Sequence, residues 1–142
     1  MPIVSITRLR VRSWYYLPAF ALQTLRIALQ AKRADGNLAT KLLRDRRNVF
    51  WTATSWSAET SMKAFMLAKP HGPTMRKLLE WCDEAALVHF AQAGAEPPAW
   101  AEAHRLILHE GRPSKVNHPS PAHIAHALPE PDAKPTRELR LK

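Results

Sequence analysis

Between Asn48 and Trp81 the chain reads NVFWTATSWSAETSMKAFMLAKPHGPTMRKLLEW, and this stretch leaves few folds open. Val49 to Trp56 is rich in aromatic and β-branched residues that suit a pleated sheet. Its alternation puts Trp51, Ala53 and Ser55 on one face and Phe50, Thr52, Thr54 and Trp56 on the other. Ser57 is placed as an N-cap and Glu59 favours the first turn of a helix, where Met62, Phe65 and Met66 form an apolar stripe. Lys69-Pro70-His71-Gly72-Pro73 interrupts the helical pattern, which resumes with Met75, Leu78, Leu79 and Cys82. A strand therefore runs into two half-helices joined at a break that carries one histidine.

The flanking segments complete a repeat of this pattern. Ile3 to Arg12 alternates strictly, with Val4, Ile6, Arg8, Arg10 and Arg12 on one side and Ile3, Ser5, Thr7, Leu9 and Val11 on the other. Pro18 suits the first turn of a helix whose apolar face includes Phe20, Ala21, Thr24, Leu25, Ala28 and Leu29, and Gly36 suits its C-terminal stop. Asn37 to Leu43 reads as a second strand, Arg44 to Asn48 as a solvated hairpin turn, and Glu84 to Gln92 as a fourth strand. The order predicts an α+β, ferredoxin-like βαββαβ antiparallel sheet with both helices on one face. Apolar residues on both strand faces then call for a second cover, most economically a second copy of the chain.

Residues 1–96 form this domain, residues 97–111 a C-terminal helix marked by Trp100, Ala103 and Ile107, and residues 112–142 a proline-rich tail. Eight of the twelve prolines fall after residue 96, and the tail is too poor in apolar residues to fold alone, so flexibility is expected there. A net charge of +9 invites a nucleic-acid reading, but the basic residues are scattered without an aromatic-interleaved ladder, so no nucleic-acid partner is expected. Neither a secretory leader nor an apolar run long enough to span a bilayer is read, and Cys82 is the single cysteine; a cytoplasmic protein without a membrane partner is expected.

Candidate chemistry gathers around the break. His71 can bind haem iron as a neutral imidazole or move protons near neutral pH, and it can equally be a loop histidine without a role. His89, in line with Ala85 and Leu87, reads as a satisfied core histidine, and Cys82 as a small buried hydrophobe on the second half-helix. The arginine row of Arg8, Arg10 and Arg12 could receive a carboxylate or phosphate, although a solvated face or subunit contact is the commoner use of such a row. His118, His123 and His126 lack ligand spacing, and no metal site is expected. No catalytic-triad order, paired-carboxylate motif, glycine-rich phosphate loop or Cys-x-x-Cys occurs.

The element order, with F-W-T-A-T-S-W-S at Phe50 to Ser57, A-F-M at Ala64 to Met66, P-H-G-P-T-M at Pro70 to Met75 and E-W-C-D-E at Glu80 to Glu84, resembles an uncharacterised bacterial family of the dimeric α/β-barrel superfamily. The resemblance covers Ile3 to Gln92. Its wider relatives are antibiotic-biosynthesis, quinol and spheroidene monooxygenases and haem-degrading enzymes. It implies a homodimer with sheets packed face to face, and a cleft between sheet and helices for a small apolar or aromatic ligand. It further implies a monooxygenase-like oxidoreductase, or a carrier or sensor on the same fold. Trp56 matches the strand-end tryptophan of the relatives, and His71 lies near their cleft histidine. His71, Trp56 and Trp51 are thereby the candidate catalytic residues, with Phe65, Met66, Met75, Arg8 and Asn37 as candidate substrate contacts. The cofactor is left open between none and haem, with His71 as the iron ligand in the haem case. Where haem-degrading relatives carry an asparagine early in the first strand, this chain has Ser5 and Thr7.

Overall fold

A computed structural model describes residues 1–69 and 71–142; Pro70, one residue of the expected helix break, lies outside the described residues. The alternating strand β1 (Ile3–Val11) sits in the middle of the sheet, antiparallel to β3 (Val49–Trp56) on one side and to β4 (Cys82–Ala91) on the other. β2 (Asn37–Arg44) pairs with β3 through a tight turn in which Arg47 and Asn48 both have positive φ. A 3-10 turn at Trp14–Tyr16 leads into α1 (Leu17–Arg33), which ends before Gly36 at φ 85°, a value that glycine adopts without steric cost. α2 (Glu59–Leu67) and α3 (His71–Trp81) complete the βαββαβ order on the same face. The expected fold class is the observed one. No helix among the described residues is long and apolar enough to cross a membrane.

Two boundaries differ from the sequence reading for physical reasons. α3 passes into β4 at Trp81–Cys82 without a turn, so Cys82 begins a strand and is not on the helix. α2 is entered from extended Ala58 with no side-chain cap; the backbone N–H of Ser57 instead donates to the Gly36 carbonyl at 2.8 Å.

The larger correction concerns the second sheet face. It was expected to lack cover from its own chain, yet α4 (Trp100–His109) lies across it. Trp100, Ala103, Leu106 and Ile107 join Val4, Ile6, Trp51, Ala53, Ala86 and Val88 in one buried cluster, which Leu128 closes from the tail. The tail, expected to be flexible, is tied to the sheet at both edges. β5 (Arg112–Pro113) pairs with β4, and β6 (Glu138–Arg140) pairs with β2, giving the strand order β5-β4-β1-β3-β2-β6. Between them the short helix α5 (Pro121–Ala125) packs on β4. A segment too polar to fold alone is thus ordered by hydrogen bonds that would otherwise be missing at the sheet edges.

Candidate functional site

The helix-side face of the sheet is made of alternate residues, and pairing lines them up in rows. Thr40, Thr54, Ser5 and His89 are neighbours across four strands, and so are Leu42, Thr52, Thr7 and Leu87. This floor, with five hydroxyl side chains beside Leu42, Leu87 and His89, is roofed by α1, α2 and α3 around a cavity of about 330 Å³. Such a volume lies at the small end of ligand pockets.

Trp56 closes one end. It is fully buried, and its indole N–H donates to Thr54 Oγ1 at 2.9 Å, which fixes the ring and satisfies its one donor. Phe65 stacks on Trp56 with ring centroids 5.0 Å apart, and His71 stands against Phe65 at 4.7 Å. An aromatic ladder thus runs from the sheet to the first turn of α3, and all three residues line the cavity.

The helix break is held by one glutamine. Gln30 of α1 donates from Nε2 to the Phe65 carbonyl at 3.2 Å and accepts the His71 backbone N–H through Oε1 at 3.1 Å. It thereby satisfies a carbonyl at the end of α2 and an N–H at the start of α3, groups that a helix leaves unpaired. Gly72 lets these two ends meet, since a Cβ there would sit 2.8 Å from the Leu67 carbonyl oxygen. The His71 ring contacts the Met66 carbonyl through Nδ1 at 3.0 Å; a carbonyl only accepts, so Nδ1 carries the proton and Nε2 keeps its lone pair. Burial lowers the His71 pKa, opposed in part by this hydrogen bond, and the ring is neutral at pH 7.

Of the residues proposed from the sequence, His71, Trp56, Phe65, Met66 and Met75 meet in this cavity. Three do not line it. Trp51 lies on the opposite face, where its indole N–H donates to Asp45 Oδ2 at 3.1 Å and its ring neighbours Trp100. Arg8, 1% exposed, is on that face too, with Nη1 2.6 Å from Glu84 Oε1. Burial pushes the Glu84 carboxyl up, but hydrogen bonds from Arg8 and Ser120 outweigh it and hold it below the usual range. Arg10 is bound to Asp83 and Arg12 to Glu80, so the arginine row is matched to carboxylates of the same chain. Asn37 turns inward, donating to the Ala39 carbonyl and accepting from Thr40 Oγ1.

His89 was read as a core histidine; it lines the cavity from an exposed position near the end of β4, its pKa lowered by burial of part of the ring and by the charge of Arg112. Its alternation with Ala85 and Leu87 gave the right face, while the roof stops short of it. Cys82 is buried and burial pushes its thiol up to about 12, which keeps it a packing group. Among the described residues no group of three or more His, Cys, Asp or Glu is placed to hold a metal ion.

No family model matches the chain, and no curated protein matches it. Solved structures do. Rv0793 from Mycobacterium tuberculosis aligns with TM-score 0.61 at 11% identity, over 68% of this chain and 100% of its own. SnoaB, a cofactor-independent oxygenase from Streptomyces nogalater solved in mutant form, aligns with TM-score 0.54 at 18% identity, over 68% of this chain and 98% of its own. An antibiotic biosynthesis monooxygenase gives TM-score 0.57 at 8% identity, over 65% and 99%. At these identities the likeness is one of fold: the chain has the fold of the antibiotic-biosynthesis-monooxygenase-like dimeric α/β-barrel proteins, with about a third of its length outside the match.

Proposed function

We propose that the protein is a small monooxygenase-like oxidoreductase acting on an apolar, aromatic or haem-like ligand in the cavity between sheet and helices. The observation that carries this reading is the aromatic ladder of Trp56, Phe65 and His71 inside a largely apolar cavity, on a fold shared with a cofactor-independent oxygenase. Trp56 and Phe65 supply flat surfaces for a ring system, Met66 and Met75 adapt to its edges, and the half-buried Ser5, Thr7 and Thr52 offer hydroxyls to its polar substituents. His71, kept neutral, can take a proton from a bound phenol or acidic C–H through Nε2.

Haem is the one cofactor to weigh. The His71 tautomer leaves Nε2 free to hold an iron, and Phe65 would orient the imidazole; haem so held would supply iron-centred oxygen chemistry. A carrier or sensor is the second reading, favoured by the lack of any carboxylate among the described cavity residues, which leaves His71 without an acid partner. A cytoplasmic setting belongs to the same proposal. The homodimer is now a proposal carried by the fold alone, because the face expected to receive the second copy is filled from within the chain.

The test is an absorption spectrum of the purified protein followed by oxygen uptake with added naphthols. A Soret band that His71→Ala removes supports haem; uptake by a colourless protein that His71→Ala suppresses supports cofactor-free oxidation. Tight naphthol binding without uptake moves the protein to the carrier reading, and no binding at all overturns both.

A further inference from the structure

One wall of the cavity comes from outside the βαββαβ unit. Ser114, Lys115 and Val116, just after β5, line the cavity along the edge of β4. The segment is fastened at both ends: the Ser114 N–H donates to the Ala85 carbonyl and the Asn117 N–H to the Leu79 carbonyl, each at 2.8 Å. Val116 is the inward anchor, buried with Phe20, Cys82 and Ala85 in a cluster separate from that of Trp56 and Phe65, so the cavity runs from one cluster to the other.

Lys115 is the only Lys, Arg, Asp or Glu among the described residues lining the cavity. Arg112, three residues earlier, acts on His89 from the same strand edge. Among the described residues neither cation makes a salt bridge, whereas Arg8, Arg10, Arg12 and Arg140 all do. Lys115 stands exposed at the rim of the cavity, where its ammonium offers three donors and no acceptor to an anionic group on a bound ligand.

We propose that the ligand of this cavity is an apolar ring system bearing one anionic group, with the rings at Trp56 and Phe65 and the anion at Lys115, so that the C-terminal arm sets charge specificity. This inference rests on the cavity being a ligand site, as proposed above. The solved neighbours are matched almost whole while a third of this chain is not, and the arm lies beyond the βαββαβ unit; the charge preference is accordingly a property of this chain's own extension.

The test uses two probes with the same rings, 1-naphthoate and neutral 1-naphthamide, titrated calorimetrically into the full chain and into Lys115→Met and Lys115→Arg. Lys115 is exposed, so neither substitution disturbs the fold. The expected result is naphthoate binding about fivefold tighter than naphthamide to the unmodified chain, the scale of a solvent-accessible ion pair. Lys115→Met brings the two probes to parity, and Lys115→Arg keeps the preference. Raising salt to about 0.5 M shrinks it. Equal affinity in the unmodified chain, or a preference that survives Lys115→Met, overturns the proposal and leaves the cavity reading standing. Failure of both probes to bind at millimolar concentration overturns the cavity reading and the proposal with it.

Discussion

Trp51 and Trp56 stand five residues apart on one strand and serve different faces of the sheet. An odd offset along a strand reverses the face, so the alternation that places Trp56 over the cavity places Trp51 against α4. That division was legible in the sequence, and grouping the two tryptophans in one site ran against it. Trp51→Phe removes the bond to Asp45, buried with only 8% exposure, and is expected to cost about 1–3 kcal/mol in urea unfolding. Naphthamide affinity is expected to stay the same, whereas Trp56→Phe weakens it; a change in affinity on Trp51→Phe would contradict the assignment of faces. The partners of Arg8 were not legible in the same way, because strand alternation gives a face and not a neighbour. Only the β1–β4 register, which pairs Arg8 with Ala86 and Arg10 with Glu84, sets Arg8 and Glu84 diagonally across the two strands on one face. Arg8→Met leaves the buried Glu84 carboxylate with only Ser120 and the more distant Arg10 guanidinium at 3.9 Å, and destabilisation of about 3 kcal/mol is expected. Arg8→Met combined with Glu84→Leu is expected to recover much of that loss, and an unchanged deficit in the double variant would show that packing, not charge, was what Arg8 supplied.

At the scale of elements, strands and helices with strong periodicity were readable and their junctions were not. Val49–Trp56 came out with the observed bounds because aromatic and β-branched residues fill it. β4 begins at Cys82, two residues before the Glu84 start read from the sequence, since Asp83 is a poor strand former held there by Arg10. The α2–α3 junction owes its shape to Gln30, which lies 35 residues before Phe65 and 41 before His71, a distance that local pattern does not span; Gln30→Ala is expected to loosen the His71 turn and raise its hydrogen-exchange rate. The depressed pKa of His71 gives the junction a pH dependence. In the unfolded chain histidine titrates near about 6.5. Between that value and the lower folded pKa the unfolded chain binds the proton and the folded chain does not, so stability is full above about 6.5 and is lost as pH falls through the folded pKa. His89 acts in the same direction. The melting temperature is expected to fall between about pH 7.5 and about pH 5.5, above the range where ordinary carboxylates titrate, and the fall should be smaller in His71→Leu. An equal fall in that variant would assign the effect to other histidines.

For the whole molecule, the arm changes what the ferredoxin-like unit has to do for itself. The sheet face that a second subunit was expected to cover is filled by Trp100, Ala103, Leu106 and Ile107, and both sheet edges are paired by β5 and β6. Composition hid this, because low apolar content correctly says that residues 112–142 cannot fold alone and says nothing about docking on a ready-made edge. Two of the few apolar residues there, Val116 and Leu128, are buried, and Ser120 Oγ donates to Glu84 while the Asp132 N–H donates to Asp45. A flexible tail could be truncated after Gly111 with the melting temperature nearly unchanged; the docked arm reverses that expectation. Burying one Val and one Leu contributes about 1.5–3 kcal/mol each before the cost of ordering the segment. With a net loss of about 2 kcal/mol, a chain of this size melts roughly 5–10 °C lower. The same truncation removes Ser114, Lys115 and Val116 from the cavity wall, so the preference for 1-naphthoate should vanish together with the stability. Calorimetric melting and probe titration of one truncated chain check both effects, and an unchanged melt with an unchanged preference would show that the arm neither supports the sheet nor reaches the cavity.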